Sequence, residues 1–313
     1  MEIFITGATR VLGRPVIQSL VAQGHRVRAL SRSGTNEAEI RALGAIPMPA
    51  DLFDVESLKR AVAGCNAIAH LATKIPPTMK MGKTAAWLEN DRIRREGTRN
   101  LVEAALASGS VETVVFESFG LVYPDSGDKW VDAATTPVQP APTLISTFDG
   151  EKAVQRFAEA GHRGISLRLG LIYGPESPSA LEQLSYMQKG IAAFPGSSDA
   201  FLPQIWVQDA ASAFVAALLQ QVPSGVYDIA DDNPLTRHEL FEAIAAAAGK
   251  KRYFSLPVPI MKMLAGVKYD DICRSQRVSN RRFKEVSNWT PSVSDSRIGW
   301  KRMAEKQRAE ASV

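Results

Sequence analysis

The chain has 313 residues, of which 45 % are apolar and 22 % charged, values typical of a folded globular protein rather than a disordered one. No apolar run approaches the roughly 20 residues that a membrane-spanning helix needs, and the apolar start is too short for a signal peptide, so we expect a cytoplasmic protein with no membrane partner. The net charge of +4 is mildly basic, but no recognisable nucleic-acid-binding module accompanies it, so nucleic acid is not an expected partner.

Short apolar strands alternate with amphipathic helices in the first half of the chain. Strands are predicted at residues 2–6, 26–30, 45–49, 67–71, 113–117 and 165–169. Helices are predicted at residues 13–23, 55–62, 92–107 and 150–160. This alternation favours an α/β fold, a doubly wound parallel sheet with helices on both faces.

Beyond residue 170 the regular alternation ends. Six prolines between residues 175 and 234 divide the chain into short segments, with helices predicted at 210–220 and 237–248. We therefore predict a first domain at residues 1–170 and a smaller, mainly substrate-binding part at 171–313. Within the second part, residues 205–230 are predicted to return to the first domain.

A glycine-rich turn joins the first strand to the first helix. Residues 3–13 read Ile-Phe-Ile-Thr-Gly-Ala-Thr-Arg-Val-Leu-Gly, so Gly7 and Gly13 bracket the turn. Such a turn lets backbone N–H groups at a helix N-terminus meet a pyrophosphate, and its last glycine permits close packing of helix on strand. Because the turn opens a strand–helix–strand series, it is a strong indication of dinucleotide binding.

The end of the second strand indicates which dinucleotide is bound. NAD-specific proteins of this kind carry an acidic residue there, which accepts hydrogen bonds from the ribose 2′-hydroxyl. This chain instead has Ser31 followed by Arg32, and a guanidinium suits a 2′-phosphate. Arg10, inside the turn, could form the other side of that clamp. We therefore predict NADP(H) as the cofactor, although either arginine alone is equally well explained as a surface charge.

With these motifs the chain resembles the extended short-chain dehydrogenase/reductase family, the NAD-dependent epimerase/dehydratase group. Similar segments follow in the family's order at residues 51–52, 70–72, 97–101, 168–175 and 206–209. The resemblance implies a Rossmann fold, and a homodimer through two of the predicted helices. It further implies that the cofactor is bound by Gly7, Thr9, Arg10, Leu12, Gly13, Arg32, Asp51, Leu52, Leu71, Ala72, Thr73, Lys152, Leu169 and Leu171.

The catalytic residues of that family are largely replaced. The family places a tyrosine four residues before a lysine on one helix, and this chain has Phe148 and Lys152 in the corresponding positions. Ser118 takes the place of the first of two family serines, whereas Phe119 replaces the second, catalytic one. Arg94 stands where the family has asparagine. A phenyl ring cannot transfer a proton, so the resemblance leaves Lys152, which would hold the nicotinamide ribose, as the retained part of the machinery.

Another group would then have to supply a proton. Ser118, Tyr123, Asp149 and Tyr173 fall on segments that are expected to border the nicotinamide, although a structural role explains each of them as well. Lys152, Ser118 and Tyr173 are taken as the candidate catalytic residues. No histidine or cysteine pair has metal-ligand spacing, so no metal is expected.

Three functions remain open at this stage. The first is an NADP(H)-dependent reductase of a small, mostly apolar organic substrate, with a non-standard proton donor or water; residues 274–280 are a candidate lining of its substrate side. The second is a non-catalytic NADP(H)-binding redox sensor or partner protein, because the cofactor turn survives while the tyrosine is lost. The third is a nucleotide-sugar epimerase or dehydratase, whose chemistry depends strongly on that tyrosine.

Overall fold

The computed structural model describes residues 1–32, 34–76, 80, 82–192, 195–255, 257–266 and 269–311. The strands, in chain order, are β1 Glu2–Thr6, β2 Arg26–Ser31, β3 Ile46–Pro49, β4 Ala67–His70, β5 Thr113–Phe119, β6 Trp130–Val131, β7 Arg163–Leu169, β8 Leu171–Tyr173, β9 Ile191–Ala192, β10 Phe201–Leu202, β11 Gln204–Trp206, β12 Gly225–Ile229, β13 Leu235–Thr236, β14 Phe254–Ser255 and β15 Arg277–Val278. The helices are α1 Gly13–Ala22, α2 Gly34–Ala42, α3 Val55–Val62, α4 Leu88–Arg92, α5 Thr98–Ser108, α6 Ile145–Glu159, α7 Pro178–Gln188, α8 Val207–Leu219, α9 Arg237–Ala247, α10 Val258–Ala265, α11 Tyr269–Cys273, α12 Arg281–Ser287 and α13 Ser296–Ala311. Single turns of 3-10 helix lie at Thr84–Trp87 and Pro142–Leu144, and a π-helical turn lies at Ile93–Gly97.

A seven-stranded parallel sheet in the order β12-β7-β5-β4-β1-β2-β3 forms the centre of the described fold. The chain runs from β1 outward to β3, then crosses back to β4 and continues outward in the other direction. The strand order therefore reverses between β1 and β4, and in open α/β sheets a crevice that binds ligands lies outside the carboxyl ends of the strands at this point. The predicted doubly wound parallel sheet is confirmed.

Side chains of the central strands alternate between two apolar cores, one on each face of the sheet. Ile3 and Ile5 of β1 belong to the core that α1 and α8 cover. Phe4, between them, belongs to the core that α3, α5 and α6 cover. Because both faces are buried, the strands are nearly continuous runs of apolar residues, as is usual for parallel sheets.

A third core belongs to the second half of the chain, where α7, α9 and α13 pack together. Its centre is aromatic: the ring of Tyr173 stacks on that of Trp300, with centroids 5.4 Å apart. No helix in the described ranges is both long and apolar enough to cross a membrane.

The predicted elements exist, but several boundaries and some connections differ. Within residues 205–230, α8 packs on the central sheet and β12 forms its outermost strand beside β7. The helix predicted at 92–107 is interrupted by the π-helical turn, and the helix predicted at 150–160 begins at Ile145. The sheet strand β12 and the helices α2, α7, α12 and α13 were not predicted, because their apolar residues are few or spaced irregularly.

Candidate functional site

The turn after β1 makes two close backbone approaches that only glycine permits. Gly7 has a positive φ of 76°, and a Cβ there would overlap the carbonyl oxygen of Leu71 at the end of β4. A Cβ on Gly13 would overlap the carbonyl oxygen of Gly7. The turn is therefore folded tightly against β4 and leads directly into α1, which is the geometry of a pyrophosphate cradle at a helix N-terminus.

A cavity of about 360 Å³ opens beside this turn, over the carboxyl ends of β1, β2 and β3. Eight of the predicted cofactor residues line it: Gly7, Thr9, Arg10, Arg32, Asp51, Leu52, Ala72 and Thr73. Further lining residues that the sequence did not single out include Asn36, Glu39, Phe53, Lys74 and Ile93. The cradle and the cavity together fit one half of a dinucleotide.

The remaining predicted cofactor residues do not line this cavity. Leu12, Leu71 and Leu169 are buried and belong to the core under α1 and α8, and Gly13 packs against the turn itself. Leu171 is half-buried on β8. The side chains of the three buried leucines pack in the protein interior, so any contact they make with a cofactor would come from their backbone atoms.

Two arginines line the cavity near the end of β2, and the carboxylates of Glu39 and Asp51 line the same cavity. Arg10 and Arg32 are both exposed and line the same cavity. The last residue of β2 is the buried Ser31 and not an acidic residue. Glu89 lies 3.9 Å from a guanidinium nitrogen of Arg32 and 3.3 Å from the Lys74 ammonium. These are surface contacts that water screens strongly, so a doubly charged phosphate could replace them.

A row of buried polar side chains crosses the carboxyl-terminal part of the sheet. Ser118 on β5 and Asp228 on β12 are both in register with Arg168 on β7, so all three lie on one face. Glu151 of α6 completes the row. It accepts hydrogen bonds from the Ser118 hydroxyl at 2.5 Å and from Arg168 Nε and Nη2 at 2.8 Å each.

The row continues to the other side of Arg168. Arg168 Nη1 donates to the Tyr123 hydroxyl at 3.2 Å, and that hydroxyl donates to Asp228 at 2.7 Å. Burial and the Asp228 charge raise the pKa of Tyr123, and burial raises the pKa of Asp228 to about 7. Sequence reasoning missed Glu151, Arg168 and Asp228 as members of this network, because the register of neighbouring strands cannot be obtained from the sequence.

The structure brings Ser118 together with Glu151, not with Lys152. On α6, Thr147 and Glu151 are buried, four residues apart, whereas Lys152 is exposed. Phe148 is half-buried, and the Arg168 guanidinium lies 5.4 Å from the centroid of its ring. The helical face directed at the sheet is therefore one residue out of phase with the Phe148–Lys152 pair. Lys152 is exposed and lies outside the cavity beside the turn, so its role in holding the nicotinamide ribose stays a prediction.

Tyr173 and Asp149 each contact a charged side chain of this chain. Tyr173 is 1 % exposed, and its hydroxyl lies 3.5 Å from the Asp231 carboxylate within the third core. Its pKa is raised well above the usual value by burial and by the Asp231 charge. Asp149 forms an ion pair with Arg95 at 2.7 Å.

Arg94 and Glu117 are buried and in contact near the end of β5, and the sequence did not predict this contact. Arg94, in the π-helical turn, donates from Nη1 to the Glu117 carbonyl oxygen at 3.2 Å. Burial raises the pKa of the Glu117 carboxyl to about 7, although the Arg94 charge lowers it. His70 donates or accepts at 2.6 Å with the Thr6 hydroxyl, and burial together with the Arg94 charge lowers its pKa to about 3, so the imidazole is neutral.

Residues 274–280 pack against the loop that follows β5, and Arg277 also lines a second cavity together with Trp130 and Asp232. That this segment lines the substrate side stays a prediction. β15 pairs with β6, and the Arg277 guanidinium stacks 4.3 Å from the Trp130 ring centroid. Arg274 donates to the Gln139 carbonyl oxygen at 2.6 Å. These residues anchor the 124–142 loop to the second half of the chain.

Comparison with known proteins agrees with this geometry. The sequence model of the NAD dependent epimerase/dehydratase family matches residues 3–230. The chain is 26 % identical over 307 residues to a 3-diazoavenalumate denitrifying reductase of a Streptomyces species, covering 96 % of this chain and 99 % of that protein. The crystal structure of a human epimerase family protein with NADPH matches with a TM-score of 0.82 and 21 % identity over 97 % of this chain and 99 % of that one. A UDP-glucose 4-epimerase of Thermotoga maritima, solved with UDP-glucose, matches with a TM-score of 0.81 and 20 % identity over 99 % and 100 % of the two chains.

Proposed function

Because the chain belongs to the NAD-dependent epimerase/dehydratase family, we propose that it is an NADPH-dependent reductase of a small, mostly apolar organic substrate. The observation that carries the proposal is the pair of arginines in the cavity near the end of β2. Arg10 and Arg32 line it together, and Ser31 offers no carboxylate to a ribose 2′-hydroxyl. A 2′-phosphate would gain charge-assisted hydrogen bonds there, whereas NADH would gain none.

Three buried hydroxyl groups support a reductase that lacks a tyrosine acid. Ser118, Tyr123 and Tyr173 each direct their hydroxyl toward a buried carboxylate. The pKa values of both tyrosines are raised, so neither is a ready proton donor at neutral pH. Such a site suits a substrate that accepts hydride at carbon and takes any proton it needs from water.

Reductases among the relatives support this direction. One is named as a 3-diazoavenalumate denitrifying reductase, and others are named as 2-alkyl-3-oxoalkanoate reductases. A bound nicotinamide would supply the hydride in the proposed reaction. The residues of this chain would bind the dinucleotide, orient it across the sheet edge and exclude water from the apolar side of the site, where Phe119 and Leu171 pack on the third core.

The proposal is tested by titrating the purified protein with NADPH and with NADH, following nicotinamide fluorescence. We expect tight NADPH binding, weak NADH binding, and a loss of NADPH affinity of about 10-fold or more in Arg32→Ala, since one charge-assisted hydrogen bond contributes about 1.5–3 kcal/mol. Arg26→Ala, at the opposite end of the same strand, is the matched control and should change neither affinity.

NADPH oxidation is then measured with a substrate panel of ketones, imines, activated alkenes, aryl diazonium salts and UDP-glucose. No binding of either cofactor by the wild-type chain would refute the proposal.

A non-catalytic NADP(H) sensor is the second candidate, because the hydroxyl groups of Ser118, Tyr123 and Tyr173 are each directed at a buried carboxylate. It requires that NADP⁺ and NADPH be bound with different affinities or stabilise different conformations, since only differential binding shifts an equilibrium. Hydrogen exchange of the two complexes distinguishes the candidates. A sensor shows different protection with the two redox forms and no turnover on the whole panel.

A further inference from the structure

The second cavity, which Arg277 and Trp130 line, has a volume of about 350 Å³. Within the described ranges it shares no lining residue with the cavity beside the glycine-rich turn. Its walls come from β6, from the segment between β12 and α9, from β15 and from the start of α13. A cavity of this size can hold a small organic molecule, so its lining deserves a reading of its own.

Arg277 gives this cavity a guanidinium that lacks oxygen acceptors. Its centre lies 4.3 Å from the ring centroid of Trp130 and 4.9 Å from that of Phe201. Ring contacts of this kind stabilise the charge but give the N–H groups no oxygen. Among the described residues, the guanidinium makes one long hydrogen bond, 3.4 Å from Nη1 to the Asp128 carbonyl oxygen, and its buried Nε has no partner. An arginine has five N–H donors, so most of them remain available.

The other charged groups of the cavity are paired with one another. The Asp232 carboxylate lies 2.9 Å from the Lys284 ammonium. The Arg297 guanidinium lies 2.8 Å from Glu239 and 2.7 Å from Asp295. No comparable carboxylate partner is present for the guanidinium on β15 in the part of the chain that the structure describes. The unmet demand of this cavity is therefore for an anion.

Trp130 places an aromatic surface beside that cation. Of the five tryptophans in the chain, Trp130 is 50 % exposed and the other four are buried. Trp130 on β6 is in register with Arg277 on β15, so two paired strands hold the ring and the guanidinium side by side. Pro234 and Leu235 add apolar surface to the same cavity. A flat apolar group would stack there while its oxygens meet the guanidinium.

We infer that the second cavity is a binding site for a small aromatic carboxylate, held through Arg277 with its ring against Trp130. A planar guanidinium matches a carboxylate through parallel N–H···O bonds. The three carboxylates in the wall repel negative charge, so a monoanion fits the cavity better than a doubly charged phosphate. The inference does not depend on the proposed NADPH binding, because the two cavities have separate linings.

Benzoate is the probe, and three further ligands each remove one of its features. Benzamide keeps the shape without the charge, acetate keeps the charge without the ring, and inorganic phosphate carries more charge. We expect saturable benzoate binding with a dissociation constant on the order of 1 mM, and binding of the other three weaker by about 10-fold or more. Calorimetry measures the affinities. Acrylamide quenching of tryptophan fluorescence reports the place, since Trp130 is the exposed tryptophan and benzoate should protect it.

Arg277→Met tests the guanidinium directly. Methionine keeps an apolar contact with the two rings but offers no donor, so benzoate affinity should fall about 10-fold or more and the protection of Trp130 should disappear. Arg281→Met, on an exposed arginine paired with Glu285, is the matched control and should change neither result. If Arg277→Met does not fold, Arg277→Lys keeps the charge without the paired donors and should still lower benzoate affinity about threefold or more.

Several results would overturn the inference. They are an absence of saturable benzoate binding, binding of benzamide, acetate or phosphate as tight as that of benzoate, and an unchanged benzoate affinity in the Arg277 variant that folds. Benzoate that displaces NADPH and leaves Trp130 as open to acrylamide as before would belong to the first cavity, which also contradicts the assignment. A chain that binds benzoate as expected but neither nicotinamide cofactor would refute the proposed function and leave this site standing.

Discussion

The buried ion pair between Glu151 and Arg168 offers a sharp test of how the row of buried polar side chains is held together. Both side chains are almost fully buried, at 8 % and 6 % exposure, and both carboxylate oxygens are bonded to the guanidinium at 2.8 Å. Glu151→Gln keeps the shape of the side chain but removes its charge. It leaves Arg168 as an uncompensated buried cation and turns an amide N–H₂ group toward guanidinium donors.

Breaking a buried pair from one side costs about 3–5 kcal/mol. At about 2–4 °C per kcal/mol for a chain somewhat smaller than this one, the melting temperature should fall by roughly 6–20 °C. Urea unfolding followed by tryptophan fluorescence measures the same loss as a free energy. Glu159→Gln, an exposed glutamate on the same helix, is the control and should change stability by less than about 0.5 kcal/mol.

The double variant Glu151→Leu with Arg168→Met separates the pair from its burial. Replacing both charges by apolar groups of similar volume is often neutral or stabilising. Here Ser118 would lose its acceptor and Tyr123 one donor, so we expect a net loss of about 1–3 kcal/mol, smaller than that of Glu151→Gln alone. A double variant at least as unstable as Glu151→Gln, or a Glu151→Gln variant within 1 kcal/mol of wild type, would refute this reasoning.

Two further predictions concern the cavity and the end of β5. Because burial raises the Glu117 pKa from 4.5 to about 7, the folded chain binds more protons than the unfolded chain between these values, so this carboxyl should lower the stability by about 3 kcal/mol as pH rises through that window. Glu117→Gln should reduce the slope of a pH series of urea midpoints there, while the contribution of Asp228, whose pKa is also raised to about 7, remains; an unchanged slope would show that the Glu117 carboxyl is ionised throughout. Gly7→Ala should abolish NADPH binding and lower the melting temperature, since its φ is 76° and its Cβ would overlap the Leu71 carbonyl group. Gly24→Ala, with a φ of 79° and open space around it, isolates the conformational part, about 1–2 kcal/mol, and should leave NADPH affinity intact.

The cofactor cradle could be predicted from the sequence because it is local. Gly7 and Gly13 stand six residues apart between a strand and a helix, and that spacing alone sets the backbone path of the turn. Arg10 and Arg32 belong to this turn and to the end of the next strand, so their meeting in one cavity follows from the parallel pairing of β1 with β2. Of the residues predicted on these short connections, Gly7, Thr9, Arg10 and Arg32 line the cavity, whereas Leu12 and Gly13 do not.

The face of α6 could not be predicted, because partners far away in the sequence determine it. The four-residue spacing of Phe148 and Lys152 drew attention to one face of α6, and nothing in the local sequence marks Glu151, on a neighbouring face, as buried. Glu151 is buried because Arg168, on β7, brings a charge to the same level of the sheet. The register that places Ser118 beside Arg168 is a property of the sheet and is absent from any local pattern.

The buried network also limits the chemistry of the proposed reductase. Reduction of a ketone produces an alkoxide, and a positioned general acid contributes about 10²–10⁴-fold to such a step. Ser118 and Tyr123, the hydroxyls nearest the end of β5, are committed to Glu151 and Asp228, and releasing either would leave a buried carboxylate with fewer donors. A substrate that needs no proton at the moment of hydride transfer avoids that cost. An aryl diazonium, which loses nitrogen gas when hydride adds, and an alkene whose carbanion is stabilised by a neighbouring carbonyl group both meet this condition, so the same network that stabilises the fold favours them over simple ketones.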